Sequence, residues 1–160
     1  MSKDVTQLPI ERVALAPDLD ELAREGARRM SAAALRAEAD EDVERFAGER
    51  DGNGYRLVVR NGSGKERRVT VGSGTIALRA PRVDDRREDP ETGERRRFHS
   101  AILPRYARRS PKVTDVLPLL YLRGLSTGDF GPALRELLGE DASGLSPSSI
   151  ARLTKAWEAD

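Results

Sequence analysis

The amino-acid sequence predicts an α+β protein: a long N-terminal helix, a small three-stranded antiparallel meander, and a C-terminal helical unit resembling a helix-turn-helix. Three observations support this prediction. Apolar residues follow helical spacing through residues 19–47, alternation with interrupting glycines follows over residues 55–80, and Ser-Pro and glycine signals divide residues 110–157 into short helical segments. The expected organisation is a disordered lead-in at 1–17, a helix with a meander at 18–94, and a basic linker with the helical unit at 95–160.

The long N-terminal helix is predicted to begin after Asp18, because Glu21 follows three residues later and both carboxylates suit the first turn of a helix. A stripe of small and apolar residues then runs along one face: Leu22, Gly26, Met30, Ala33 and Ala37. We expect this stripe to cover the sheet, with a dimer seam as the alternative. The acidic residues at 38–44 are expected to form a solvated face, because no histidine is spaced to complete a metal site with them.

Three strands are predicted in the middle of the chain, at residues 55–60, 67–71 and 75–80. Glycine-containing segments at 61–64 and 72–74 separate them and are predicted to be turns. Pro81 is expected to end the sheet, because proline has no amide hydrogen to donate to a neighbouring strand. Residues 72–74 lack the lysine and following helix of a phosphate-binding loop, so a hairpin turn is the preferred interpretation.

The C-terminal third is predicted to hold three short helices. Ser110 and Pro111 form a typical start for the first, and Gly124 a typical stop. Ser126 and Asp129 resemble a capping box for the second. Gly139 is predicted to end the second helix, and Ser146 and Pro147 to open the third. Pro118 and Pro132 interrupt the first two segments and predict kinks or later helix starts there.

The third helix is the candidate recognition helix. Ile150, Leu153 and Trp157 fall on one face at helical spacing. The opposite face carries the hydroxyls and cations that we select as DNA-contact candidates: Ser148, Ser149, Arg152 and Lys155. The alternative interpretation is an ordinary surface helix with a polar, basic face.

Charge is distributed unevenly along the chain. The formal net charge is only +1, but residues 18–50 contain ten acidic and six basic side chains, whereas residues 95–112 contain seven basic and no acidic ones. We call residues 95–112 the basic segment. Its cations are candidate phosphate contacts: Arg95, Arg96, Arg97, Arg105, Arg108, Arg109 and Lys112. The alternative is that these side chains are simply solvated, and Tyr106 among them is expected to pack rather than to stack.

Composition excludes several classes of function. The chain has no cysteine, so disulfides and cysteine-based zinc sites are excluded, and His99 alone forms neither a metal site nor a catalytic pair. We therefore assign no catalytic and no metal-binding residue. No signal peptide or long apolar run is present, so a cytoplasmic, nucleoid-associated protein that does not contact membranes is expected.

Several segments together resemble one protein family. They include residues 22–26, 78–83 and 98–104, and two longer runs, at 110–130 and at 144–157. In this order they look like the N-terminal part of Mutator-type bacterial insertion-sequence transposases. The similarity extends over nearly the whole chain, which makes it more specific than any single segment.

The resemblance implies a DNA-binding region that recognises the terminal inverted repeats of an insertion sequence and is required for its transposition, with double-stranded DNA as the partner. In such transposases a ribonuclease-H-like domain follows, in which three acidic residues hold a divalent metal such as Mg²⁺. The first of them lies downstream of the helix that contains Trp157, and the chain ends at Asp160. We therefore expect no cofactor in this chain and no catalytic activity of the chain alone.

Two alternatives to the DNA-binding role remain open at the level of sequence. The chain could be the product of a truncated transposase gene, a relic that dimerises through its long helix or regulates a full-length transposase. A generic helix-turn-helix regulator is a weaker alternative, because such a protein has no reason to share the upstream segments.

Overall fold

A computed structural model describes residues 18–126, 128–142 and 144–159. The predicted lead-in at residues 1–17 lies outside the described residues. Within them the chain forms four helices and one two-stranded antiparallel sheet. In chain order these elements are α1 (Leu19–Arg45), β1 (Val58–Val71), β2 (Gly74–Asp85), α2 (Pro111–Leu122), α3 (Phe130–Leu138) and α4 (Pro147–Trp157).

Helix α1 begins as predicted and packs on the sheet, but through a different face. The backbone amide of Glu21 donates to Asp18 Oδ1 at 2.7 Å, which caps the first turn. Leu35 and Ala39, one turn apart, are fully buried against the hairpin. The small-residue stripe expected to do this remains outside, with Leu22 54% and Met30 76% exposed.

The predicted three-stranded meander is wrong, because the sheet has only two long strands. Their register runs from Val58 opposite Asp85 to Val71 opposite Gly74. The first two predicted strands belong to the single strand β1, except for residues 55–57, which precede it. The glycine-containing segment between them does not reverse the chain: it contains register shifts on either side of Ser63, and Gly62 has a φ of +64°. Glycine here permits irregular pairing within a strand instead of a turn.

Pro81 does not end the sheet, contrary to the prediction. It lies inside β2, opposite Ser63, between the two register shifts. Every strand of a two-stranded sheet is an edge strand, and a proline is tolerated at an edge or a bulge because its missing amide donor is not needed there. Strand β2 therefore continues four residues further, to Asp85.

The three C-terminal helices occur where the sequence predicts them and share one apolar core. Its buried members are Val113, Leu117, Leu134, Leu138, Leu145 and Ile150. Ser110 caps α2 by accepting from the amide of Val113, and Ser146 caps α4 by accepting from that of Ser149. Pro118 lies inside α2, which continues to Leu122. The predicted capping box is wrong, because α3 begins only at Phe130. Ser126 Oγ donates to Asp129 Oδ2 at 2.5 Å, and the Asp129 side chain makes no capping hydrogen bond to α3.

A second core lies between α1 and the hairpin, and polar contacts join it to the helical unit. Its buried members are Leu35, Val69, Ile76, Leu78 and Leu103. Next to it, the amide of Thr70 donates to the carbonyl of Arg108 at 2.9 Å, and the amide of Ser110 donates to the carbonyl of Thr70 at 2.8 Å. Residues 108–110 thus form a short parallel pairing with β1 directly before α2 begins.

Candidate nucleic-acid interface

Helix α4 has one buried and one exposed face, in the orientation predicted from the sequence. Ile150 is completely buried and Thr154 is 7% exposed, whereas Arg152 and Lys155 are exposed. Ser148 is also exposed, one turn before Arg152 on the same face. A hydroxyl and two cations therefore face outward along about two turns of helix.

The C-terminal end of α4 is held against α2 by aromatic and polar contacts. The rings of Trp157 and Tyr121 lie 6.5 Å apart, centroid to centroid, at an angle of 48°. The hydroxyl of Tyr121 donates to Glu158 at 3.2 Å, and this hydrogen bond raises the pKa of Tyr121 above its usual value. These contacts, together with burial of Ile150, fix which face of the helix is exposed.

Serine hydroxyls cluster at the first turn of α4. The hydroxyl of Ser146 lies 2.9 Å from that of Ser149 and 3.2 Å from that of Ser148. Ser149 is half-buried, so it lies at the edge of the exposed face, and Ser148 lies within that face. Hydroxyls at such a position can donate to or accept from bases and phosphates.

Arg109 connects the start of α2 to the loop before α4. Its Nε donates to Thr114 Oγ1 at 3.1 Å, and a terminal nitrogen donates to the carbonyl of Gly144. Gly144 has a φ of +77°, and a β-carbon added there would lie 3.1 Å from the Cβ of Arg108. Close packing at this glycine thus helps to place both arginines beside α4.

One cavity brings together four of the sequence-selected residues. It has a volume of about 570 Å³, and its lining includes Arg108, Arg109, Ser149 and Arg152. Burial, followed by repulsion from Arg152, lowers the pKa of Arg109 below its usual value. An anion seated between the two guanidinium groups would relieve this repulsion.

The first part of the basic segment is already engaged with carboxylates. Arg95 donates to Asp84 at 2.8 Å and to the backbone carbonyl of Asp85 at 3.0 Å. Arg96 lies 3.8 Å from a carboxylate oxygen of Asp89. Arg97 is exposed, and it lines a second cavity together with Arg95 and Arg96. These three arginines therefore line a different cavity from the group beside α4.

The remaining candidates are exposed, and Tyr106 lies among them. Lys112 is exposed in the first turn of α2, and the guanidinium carbon of Arg105 lies 5.4 Å from the centroid of the Tyr106 ring. The expectation that Tyr106 packs is wrong, because it is 81% exposed. Sequence reasoning also missed Arg67 and Arg68, which line a cavity with Tyr106. Arg67 and Arg68 precede Tyr106 by almost forty positions, so no local sequence pattern could reveal that they line one cavity with it.

The described residues offer neither a metal cluster nor a membrane span. Within residues 18–126, 128–142 and 144–159, no three histidine or acidic side chains are grouped so that they could hold a metal ion. Among the helices of this same part of the chain, none is both long and apolar enough to cross a bilayer.

Comparison with known proteins yields two findings. The family described as "Transposase, Mutator family" matches residues 2–159 of this chain. The chain is also similar to a protein of Mycolicibacterium smegmatis, the "Transposase for insertion sequence element IS6120", with 59% identity over 46 residues. That alignment covers 29% of this chain and 14% of the relative.

Proposed function

Because the chain belongs to the Mutator family of transposases, we propose that it is the DNA-binding N-terminal portion of such an enzyme and recognises the terminal inverted repeats of an insertion sequence. The alignment with the curated relative covers only 14% of that protein. Transposition is therefore a proposed role of the whole enzyme, and double-stranded DNA is the proposed partner of this chain. Such a partner would place the protein at the nucleoid.

Helix α4 is the proposed recognition helix. The major groove admits an α-helix, and base edges there present distinct donors and acceptors. Arg152 suits guanine, to which arginine can donate two hydrogen bonds, and Ser148 and Ser149 can bond to either bases or phosphates. Lys155, one turn further along, is suited to a phosphate at the edge of the groove.

The phosphate contacts are proposed to come from the later part of the basic segment. Arg108 and Arg109 line the same cavity as Ser149 and Arg152, and Lys112 lies exposed nearby in sequence. Arg97 and Arg105 add exposed charge. Arg95 and Arg96 are proposed to contribute least, because a phosphate would have to compete with Asp84 and Asp89 for them.

The observation that carries this proposal is the orientation of α4. Its apolar face packs on the core through buried Ile150, and of its exposed cations Arg152 lies beside two further arginines. A mobility-shift titration tests it, using the inverted-repeat end of the parent element and a scrambled duplex of equal composition. We expect clear preference for the natural end. Equal binding to both duplexes, or none at low salt, would overturn the assignment.

Substitutions separate base contacts from phosphate contacts. Arg152→Ala or Ser149→Ala should relax sequence preference, with a loss of about 1–3 kcal/mol for a base contact. Arg108→Ala should weaken binding to all sequences and reduce the salt dependence by about one unit. Arg36→Ala is the matched control, because Arg36 is exposed on α1. Equal, sequence-independent effects of Arg152→Ala, Ser149→Ala and Arg108→Ala would contradict the recognition-helix assignment.

Exposure of the small-residue stripe on α1 favours a second candidate role, association with a second copy. Leu22 and Met30 remain largely exposed on this stripe. Light scattering at tens of micromolar tests the proposal, and Met30→Glu should convert a dimer into a monomer. A wild-type chain that remains monomeric would exclude a stable dimer through this stripe.

A further inference from the structure

A strained turn holds an exposed aromatic ring beside the basic segment. Tyr106 has a φ of +67° and is the one non-glycine residue among the described ones with a positive φ. The left-handed conformation is unfavourable for a bulky side chain, and 81% exposure means that packing does not compensate for it. Burial therefore gives no reason for a tyrosine at this position.

The turn is held rigidly from both sides. The amide of Ala107 donates to the carbonyl of Pro104 at 3.1 Å and closes the turn. Arg67 of β1 donates to the carbonyls of Pro104 and Ala107 at 3.0 and 2.8 Å. Leu103, just before the turn, is buried in the core beneath α1. These contacts fix the backbone of the turn, so on binding only the Tyr106 side chain would still have to be ordered.

The surface around the ring is cationic. A cavity of about 520 Å³ is lined by Arg67, Arg68, Arg105, Tyr106, Ala107 and Arg108. Arg67 is engaged with the turn carbonyls, and Arg68 forms an ion pair with Asp141 at 2.6 Å. None of the six lining residues is acidic. An aromatic ring within such a surface matches a ligand that has both phosphates and planar bases.

This cationic surface is continuous with the proposed recognition surface. Tyr106 and Arg108 line both the cavity described above and the one that contains Ser149 and Arg152. A DNA molecule seated on α4 would therefore pass close to the ring. Bases inside a regular duplex are stacked on each other, so a ring can stack only on a base that has left the stack.

We propose that Tyr106 stacks on an unstacked DNA base next to the site of α4, while Arg105 and Arg108 beside it neutralise phosphates of that strand. The inference rests on the proposed DNA-binding function and extends it to a single-stranded or distorted segment beside the duplex. It also gives the hairpin a role, because Arg67 of β1 holds the turn in place.

Fluorescence anisotropy with the full chain tests the stacking. The probes are a labelled oligothymidylate of about 20 nucleotides and an equally long strand with abasic sites, which has the same phosphates without bases. Tyr106→Ala should weaken binding to oligothymidylate at least about five-fold, and Tyr106→Phe should stay within about two-fold of wild type, because the ring and not the hydroxyl stacks. Binding of the abasic strand should change less than about two-fold.

Tyr55→Ala is the matched control, because Tyr55 is also exposed, at 68%, but lies in another loop. The Tyr55→Ala variant should bind oligothymidylate with the affinity of the wild type. Equal losses on both probes for Tyr106→Ala, no loss at all, or no wild-type binding to oligothymidylate would each overturn the stacking proposal. The wild-type preference for the natural duplex end tests α4 separately, so either proposal can fail while the other holds.

Discussion

The two halves of the molecule use their arginines differently. Around α1 and the hairpin, arginines are matched with carboxylates, as in the pairs Arg87 with Asp85 and Arg60 with Asp40. On α4, Arg152 and Lys155 have no carboxylate within 4.0 Å among the described residues. Both regions are rich in charge, so the density of arginine in a sequence does not identify a binding surface. The absence of internal partners is the more informative property.

The largest expected effect tests whether the two cores unfold separately. Leu117 is completely buried in the core of the three C-terminal helices. Leu117→Ala should lower the free energy of unfolding by about 4 kcal/mol, through lost burial and the cavity left behind. Hydrogen exchange should show the loss mainly in α2 to α4, because polar contacts dominate the junction with the hairpin.

Leu35→Ala is the corresponding change in the other core, where Leu35 is 1% exposed. It should increase hydrogen exchange mainly in α1 and the hairpin. If either substitution increased hydrogen exchange equally in both regions, the molecule would unfold as one cooperative unit. The contrast between the two regions would then be limited to their charges.

The next effect concerns the buried ion pair at the end of β2. The side chains of Asp85 and Arg87 are 3% and 11% exposed, and their closest N–O distance is 2.7 Å. Asp85→Asn should lower the free energy of unfolding by about 3 kcal/mol, because it leaves the guanidinium buried without its main partner. Urea denaturation measures this. Glu41→Gln, in an exposed pair with Arg45, is the control and should cost less than about 1 kcal/mol.

The same pair predicts a pH dependence. The hydrogen bond from the Arg87 side chain holds the pKa of Asp85 below its usual value. A carboxylate with a lower pKa in the folded state stabilises the protein above its unfolded pKa of about 4, and this stabilisation is lost as the pH falls through the folded pKa. Stability should therefore fall more steeply with acid in wild type than in Asp85→Asn. Parallel curves would show that the pair contributes nothing.

These differences show what the sequence determines locally. Helix boundaries depend on neighbouring residues, so Asp18, Ser110 and Ser146 were identified as caps from the sequence. The outward face of α4 followed from the spacing of its apolar residues. The number of strands could not be predicted in this way. The glycine-rich composition around Ser63 is typical both of a turn and of the irregular pairing found there.

Long-range pairing was equally invisible in the sequence. Arg67 lies far from the turn at residues 104–107 along the chain, yet it donates to two carbonyls of that turn. The partners of Arg95 and Arg96 likewise become neighbours only when the segment after β2 folds back. Which cations of the basic segment are engaged was therefore not predictable from their spacing.

A smaller effect is expected at the glycine beside α4. Gly144→Ala should lower the free energy of unfolding by about 1–2 kcal/mol, because alanine is strained at a φ of +77° and its β-carbon would crowd Arg108. Displacement of Arg108 should also weaken binding to all DNA sequences. Gly48→Ala is the control, since an added β-carbon there meets no atom within 4 Å. If the Gly144→Ala variant were destabilised but bound DNA with unchanged affinity, the loop before α4 would not contribute to the proposed interface.

The smallest expected change has the opposite sign and returns to the exposed ring. Asparagine tolerates the left-handed conformation better than tyrosine does, so Tyr106→Asn should raise the free energy of unfolding by about 0.5–1 kcal/mol. The same variant should bind oligothymidylate more weakly. Tyr55→Asn, at an exposed site without positive φ, should leave both properties unchanged. Destabilisation by Tyr106→Asn would mean that the ring supports the fold. A gain in stability with lost binding would show that this strain is retained for DNA contact.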